Sequence, residues 1–251
     1  MGSYDDLRGK RVLVTGASRG IGEGIARAFS SAGARLFFHY RSDAELAGRV
    51  AAELPGEAHL FRADLSDDAQ RAAMFAEIER IFGGLDGAVN NAGWNHPPRP
   101  LDAIDPELYY QLTDLNIKGT LFCCLNELRL MRGHAGSIVN IGSVHQDTSV
   151  PGRTLYAASK GAIHSMTAQL AIEAGPSGIR VNNILPGYIE TGGRIPAPDE
   201  KTGIPLGRYG KPADVASLCL FLISDDSSFI NGADLVIDGG VHRKLARILD
   251  S

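Results

Sequence analysis

Eight residues near the start of the chain restrict its fold more than any others: Thr15-Gly16-Ala17-Ser18-Arg19-Gly20-Ile21-Gly22. They follow a β-branched run and lead straight into an apolar helical pattern. Glycine permits a tight turn and lets backbone approach a pyrophosphate, while a helix N-terminus offers unpaired N–H groups and partial positive charge. A dinucleotide phosphate is therefore the expected ligand. The spacing G-x-x-x-G-x-G matches neither the G-x-G-x-x-G fingerprint nor the P-loop, because Ile21 stands where the latter needs its second glycine. The segment also satisfies G-x-S-x-G, the nucleophile elbow of α/β-hydrolases. That elbow normally follows several strands, whereas here it follows the first, and a nucleophile has no use for Gly22.

Beyond this loop, short apolar runs alternate with longer amphipathic stretches, the pattern of βαβ units and a parallel sheet. Strands are predicted at Arg11–Val14, Arg35–Tyr40, Ala58–Arg62, Gly87–Asn90, Ser137–Ile141, Arg180–Ile184 and Leu235–Ile237. Helices are predicted near Ile21–Ser31, Asp43–Leu54, Asp67–Phe82, Pro106–Arg132, Tyr156–Ala174 and Pro212–Ile223. Gly33 follows the first helix, Ser66 is the expected N-cap of the third, and Pro176 to Gly178 closes the fifth. No repeat, low-complexity tract or linker separates domains. The long irregular stretch from Gly187 to Gly210 reads as a mobile loop, of the kind that often forms lids.

Several function classes are excluded by composition. A hydrophobic fraction of 44% over 251 residues rules out disorder, and three cysteines, two of them adjacent, rule out a disulfide scaffold. A reducing cytoplasm is the expected location. No apolar run approaches the ~18 residues of a membrane span, the start lacks the basic flank and apolar core of an export signal, and Gly2 lacks the downstream hydroxyl of a myristoyl site. The formal charge of −4 is spread over both signs, which disfavours nucleic acid and a polybasic membrane patch. The histidines show no metal-ligand spacing, so no metal is expected. A small-molecule partner remains.

The second chemical feature is Tyr156-Ala157-Ala158-Ser159-Lys160, whose i, i+4 spacing stacks a phenol and an ammonium on one helix face. A free phenol, with a pKa near ~10, exchanges protons poorly at neutral pH, and a nearby cation lowers that value. Ligands of open parallel sheets bind outside the carboxyl ends of the strands. Gly16, Asn91, Ser143 and Pro186-Gly187 all fall at such ends and can converge on one crevice.

These motifs resemble the short-chain dehydrogenase/reductase family, in its branch of about 250 residues. The likeness runs from Leu7 to Gly240: T-G-A-S-R-G-I-G at 15–22, Asp64-Leu65, N-N-A-G at 90–93, Asn116 in L-N-I-K-G, Ser143 in I-G-S-V, Y-A-A-S-K at 156–160, P-G at 186–187 and Asp238-Gly239-Gly240. It implies an α/β fold, a single doubly wound Rossmann domain over residues 1–251 with a seven-stranded parallel sheet, a substrate loop at 188–210 and a C-terminal tail at 241–251. By the same resemblance Tyr156 is the acid that protonates the forming alkoxide, or the base in oxidation. Ser143 hydrogen-bonds the substrate oxygen. Lys160 holds the ribose hydroxyls and lowers the Tyr156 pKa, and Asn116 orders water between Lys160 and solvent. The bland alternative for Asn116 is a tie between a helix and a neighbouring strand. Gly16, Ser18, Arg19, Gly20, Ile21 and Gly22 are implied to hold the pyrophosphate, Asp64 and Leu65 to flank the adenine, and Asn91, Ile189 and Thr191 to line the nicotinamide side. A homotetramer is implied too, with Cys123–Leu130 as a candidate isologous helix face.

Cofactor choice is read at the end of the second strand, where an NAD site carries Asp or Glu on the ribose 2′-OH. Tyr40 stands there instead. Arg41, Ser42 and Arg19 make a basic pocket suited to a 2′-phosphate, so NADP (NADPH) is expected, with NAD as a secondary cofactor. Trp94, Asn95, His96 and His145 are candidates to line the substrate crevice. The expected activity interconverts a ketone and a secondary alcohol. Ser143-Val144-His145-Gln146 resembles sugar dehydrogenases of the glucose type, while I-G-S-V and P-G-Y-I-E-T are shared with 3-oxoacyl-carrier-protein reductases. An NADP-sensing binding protein is the non-enzyme alternative, and it predicts erosion of Ser143, Tyr156 or Lys160, none of which is eroded.

Overall fold

The apolar runs become seven strands: β1 (Arg11–Val14), β2 (Arg35–Tyr40), β3 (Ala58–Arg62), β4 (Gly87–Asn90), β5 (Gly136–Ile141), β6 (Ile179–Pro186) and β7 (Asp234–Ile237). They were obtained in a computed structural model that describes residues 4–192 and 203–243. All seven pair in parallel in the order β3-β2-β1-β4-β5-β6-β7. The order reverses at β1, which lies between β2 and β4. In a doubly wound sheet such a reversal opens a crevice at the strand C-termini, and the glycine loop leaves β1 at that place.

Parallel strands covered on both faces carry continuous apolar runs. One core joins Val12, Val14, Leu36 and Phe38 to helices α1 (Gly20–Ser31) and, through Val215 and Cys219, to a C-terminal helix at Pro212–Ile223. The other joins Leu13, Phe37, Ala88 and Ile138 to Met74, Phe75, Cys123 and Leu170 on the opposite face. Phe37 and Phe38 are fully buried, one in each core. Truncating either to Ala costs about 3–5 kcal/mol. All three cysteines are buried and free. Among the described residues no helix is long and apolar enough to cross a membrane.

The remaining helices are α2 (Ala44–Ala52), α3 (Asp68–Phe82), α4 (Pro106–Thr113), α5 (Thr120–Leu130), α6 (Thr154–Ala174) and α7 (Pro212–Ile223). Two expectations are corrected. The N-cap of α3 is Asp67, whose Oδ1 accepts the Gln70 amide at 2.9 Å; Ser66 instead turns its amide and hydroxyl to Asp64. The continuous helix expected over Pro106–Arg132 is interrupted by a π-helical turn at Asp114–Gly119, which separates α4 from α5. A π turn holds one more residue than an α turn. That extra residue brings Asn116 to both backbone groups of Trp94: its Oδ1 accepts from Trp94 N at 2.8 Å and its Nδ2 donates to Trp94 O at 2.9 Å.

Candidate active site

The glycine loop is braced from behind by buried side chains. Gly16 has φ +65°, a left-handed conformation that costs glycine little. A Cβ on Gly22 would collide with the Gly16 carbonyl oxygen and lie 2.5 Å from Asn91 Nδ2. Asn91 Nδ2 donates to the Thr15 and Gly16 carbonyls at 3.0 and 3.1 Å, and Thr15 Oγ1 accepts the amides of Asn91 and Ala92, both at 3.0 Å. Thr191 Cβ stands 3.1 Å from where a side chain on Gly20 would begin, which brings the start of the 188–210 loop against α1. Ser18 is buried, Ile21 half-buried, and Arg19 is the exposed N-cap of α1. A bare backbone cradle at a helix N-terminus fits a dinucleotide pyrophosphate.

His39 was not singled out in the sequence, yet it fastens this loop. Its Nδ1 accepts the Gly16 amide at 3.1 Å, so its Nε2, 2.9 Å from the Ala63 carbonyl, carries the proton and donates. Burial depresses its pKa to about 4, keeping it neutral. No local pattern marks such a residue, since its partners lie on two other strand ends. Next to it Tyr40 is half-buried, and Arg41 and Ser42 are exposed at the end of β2. Leu65 is buried. Burial raises the Asp64 pKa, but bonds from the Ser66 amide and hydroxyl and the charge of Arg41 outweigh it and hold the carboxylate below its ordinary range.

On the other side of the switch point, Ser143, Tyr156 and Lys160 come together from the end of β5 and one face of α6. Ser143 Oγ accepts the His145 amide at 3.2 Å and stands near enough to the Tyr156 phenol to favour its ionised form. Burial pushes the Tyr156 phenol up, more than Ser143 and the charge of Arg153 bring it down. Lys160 is buried, and its Nζ donates to the Ile141 carbonyl at 2.8 Å and lies 5.6 Å from the Tyr156 ring centroid. Desolvation lowers its pKa to about 8. Asn116 completes the cluster by donating to Ser159 Oγ at 3.1 Å, in addition to its two bonds with Trp94.

Arg153, three residues ahead of Tyr156, is a site residue that the sequence did not reveal. Its Nη1 donates to Asn95 Oδ1 at 2.7 Å and to the His96 carbonyl, clamping the segment after β4 onto the start of α6. Its charge reaches both Tyr156 and His145. His145 stacks edge-on against Tyr156 with centroids 5.6 Å apart, and its pKa is lowered by burial and by Arg153. His96 is buried rather than lining an open crevice.

The 188–210 loop is closed at its base: Ile189 and Gly210 form an isolated bridge, with Glu190 N donating to Gly210 O at 2.8 Å and Gly210 N to Tyr188 O at 2.9 Å. Ile204 is buried, and Leu206 N donates to Gly239 O at 3.2 Å. Residues 193–202 of the loop and 244–251 of the expected tail lie outside the described residues.

Beneath the site, Asn90 Nδ2 donates to Glu127 Oε2 at 2.9 Å and to Asn140 Oδ1 at 3.1 Å, and Asn140 donates to Thr167 Oγ1 at 2.9 Å. Glu127 is fully buried on α5, and desolvation raises its pKa to about 8. Among the described residues its Oε1 and Asn90 Oδ1 have no hydrogen-bond partner. Cys123, Cys124, Glu127 and Leu130 thus face the chain's own core, while Phe122 and Leu125 point outward.

A family model described as enoyl-(acyl carrier protein) reductase matches residues 16–242. The chain is 37% identical over 250 residues to 3beta-hydroxysteroid dehydrogenase 1 of Eggerthella lenta, a match covering 95% of each. It is 34% identical over 250 residues to glucose 1-dehydrogenase 2 of Bacillus subtilis, covering 95% of this chain and 96% of that one. A solved short-chain dehydrogenase/reductase from Serratia marcescens superposes with a TM-score of 0.88 at 32% identity, covering 94% and 98% of the two chains.

Proposed function

The chain belongs to the short-chain dehydrogenase/reductase family, as an enzyme acting on CH–OH groups, and from that premise we propose an NADP-dependent oxidoreductase that interconverts a ketone and a secondary alcohol with Tyr156 as acid and base. The observation that carries this reading is the convergence of Ser143, just past the end of β5, with Tyr156 and Lys160 on the first turns of α6. When bound, the nicotinamide supplies or accepts the hydride at the carbinol carbon.

The chain's own residues handle the oxygen. In reduction Tyr156 gives its proton to the forming alkoxide while the Ser143 hydroxyl donates to the same atom, so that developing charge meets two donors. Oxidation reverses both roles. Asn116 ties Trp94 to Ser159 one residue ahead of Lys160, and its proposed role is to order the water that returns a proton to Lys160. Lys160 also takes the ribose hydroxyls. Gly16, Ser18, Arg19, Gly20, Ile21 and Gly22 hold the pyrophosphate, Asp64 and Leu65 the adenine, and Asn91, Ile189 and Thr191 the nicotinamide side. NADP is favoured by Tyr40 in place of a carboxylate and by Arg19, Arg41 and Ser42 around it. A homotetramer is favoured by outward apolar side chains on α4 and α5, namely Tyr109, Tyr110, Phe122 and Leu125.

A sugar or a 3-oxoacyl thioester is the substrate class that Ser143-Val144-His145-Gln146 and P-G-Y-I-E-T favour. A panel of ketones, sugars and β-ketoacyl thioesters, assayed with both cofactors in both directions, tests the reading. Turnover of one class with NADPH above NADH is expected. Preference for NADH overturns the cofactor assignment, and no turnover of any class with either cofactor overturns the enzyme.

A further inference from the structure

The 2′ side of the cofactor crevice contains a third guanidinium besides Arg19 and Arg41. Arg62 is the last residue of β3, and the parallel register pairs it with Tyr40, the position where a carboxylate would meet a ribose 2′-OH. Register partners on neighbouring strands project from the same face of a sheet. Arg62 Nε donates to the backbone oxygen of Arg41 at 3.2 Å, which fixes the guanidinium beside the β2 end and leaves both Nη groups for a ligand. Arg62 makes no ion pair with a carboxylate among the described residues.

The surrounding charges decide what this guanidinium can take. Arg41 directs part of its charge to Asp64, which Ser66 also holds at 2.6 Å from its hydroxyl. Asp43, the other nearby carboxylate, accepts the Leu46 amide at the start of α2. Arg41 thus spends part of its field on Asp64, whereas Arg62 is held, among the described residues, only by the Arg41 carbonyl and its charge is left for a ligand. A phosphate monoester carries about −1.5 to −2 charges and offers three acceptor oxygens, matching a fork with free donors.

We propose that Arg62 is a specificity-determining residue that grips the 2′-phosphate of the cofactor, with the Arg41 carbonyl as its anchor. The inference rests on the NADP reading above. Calorimetric titration with adenosine 2′,5′-bisphosphate and with AMP, which differ only in the 2′-phosphate, tests it without turnover. Wild-type protein should favour the bisphosphate. Arg62→Gln should weaken the bisphosphate by at least about tenfold, the scale of a lost charge-assisted bond, and leave AMP within about twofold. Arg62→Lys should fall between, because it restores charge but not the planar fork. A preference retained in full by Arg62→Gln, or equal losses for both ligands, overturns the role of Arg62 alone. Equal binding of the two ligands by the wild-type protein overturns the NADP reading, and this inference with it.

Discussion

Replacing Glu127 with Gln exchanges a buried carboxyl for an uncharged group of nearly the same shape, and the cost of keeping the carboxyl can be worked out from its surroundings. Desolvation raises the Glu127 pKa from an ordinary 4.5 to about 8 in the folded chain. Between those values the native protein holds a proton that the unfolded chain has released. Stability is therefore highest below the unfolded value and falls as pH rises, by about 1.4 kcal/mol per pH unit, until the folded carboxyl ionises as well. Over the whole window the loss is on the order of 5 kcal/mol, a large share of the roughly 5–15 kcal/mol that holds a typical domain together. The amide introduced by Glu127→Gln cannot ionise, so the variant lacks this slope. Urea unfolding of both proteins at one concentration, from about pH 5 to about pH 8, should show the stability difference moving in favour of the variant by about 1.4 kcal/mol per unit. Parallel pH curves for the two proteins would refute the reasoning, because they would mean that Glu127 is ionised or solvated when folded.

Tyr156→Phe should lower kcat by at least about 10²-fold while leaving NADPH binding nearly intact, and a variant that keeps most of its turnover removes Tyr156 from the proton step. Gly22→Ala should force the loop off the Gly16 carbonyl, destabilising the fold by about 1–3 kcal/mol and weakening NADPH markedly; an unchanged Kd would show that the cradle does not need that close approach. The charge of Arg153 favours the Tyr156 phenolate, so Arg153→Gln should move the limb of the kcat/KM profile for alcohol oxidation to higher pH, and Arg153→Lys should restore it. If both variants keep the wild-type profile, Arg153 only clamps Asn95 and His96.

The inner strands were legible because each is a short apolar run buried on both faces; the edge strands β3 and β7 are only partly buried, and β1 to β4 fall on the residues predicted. The break at Asp114–Gly119 was not, since the hydrophobic pattern continues through it. What opens the helix there is the bonding of Asn116 to Trp94, a contact across the site. Ser66 and Asp67 are both good caps, and the choice between them was made by Asp64, which draws Ser66 away. Tyr156, Lys160, Ser143 and the glycine loop could be singled out as candidates because proton transfer and phosphate binding need particular residue types at particular spacings. His39, Glu127 and Arg153 carry no such spacing. Their importance comes from partners such as Ala63, Asn90 and Asn95, which only the folded sheet brings within reach.

The bridge between Ile189 and Gly210 has a consequence for how such a protein can diversify. Chain on either side of the bridge is pinned to the sheet and to α7, so the span between them begins and ends at fixed points a single strand spacing apart. Loop closure costs rise only slowly with length, by about 0.6 kcal/mol for each doubling. Changes of length between Gly192 and Gly203 therefore leave Thr191 against Gly20, Ile204 buried and the glycine cradle in place, so that on the proposed reading this stretch is where a lineage can alter its substrate without rebuilding the site.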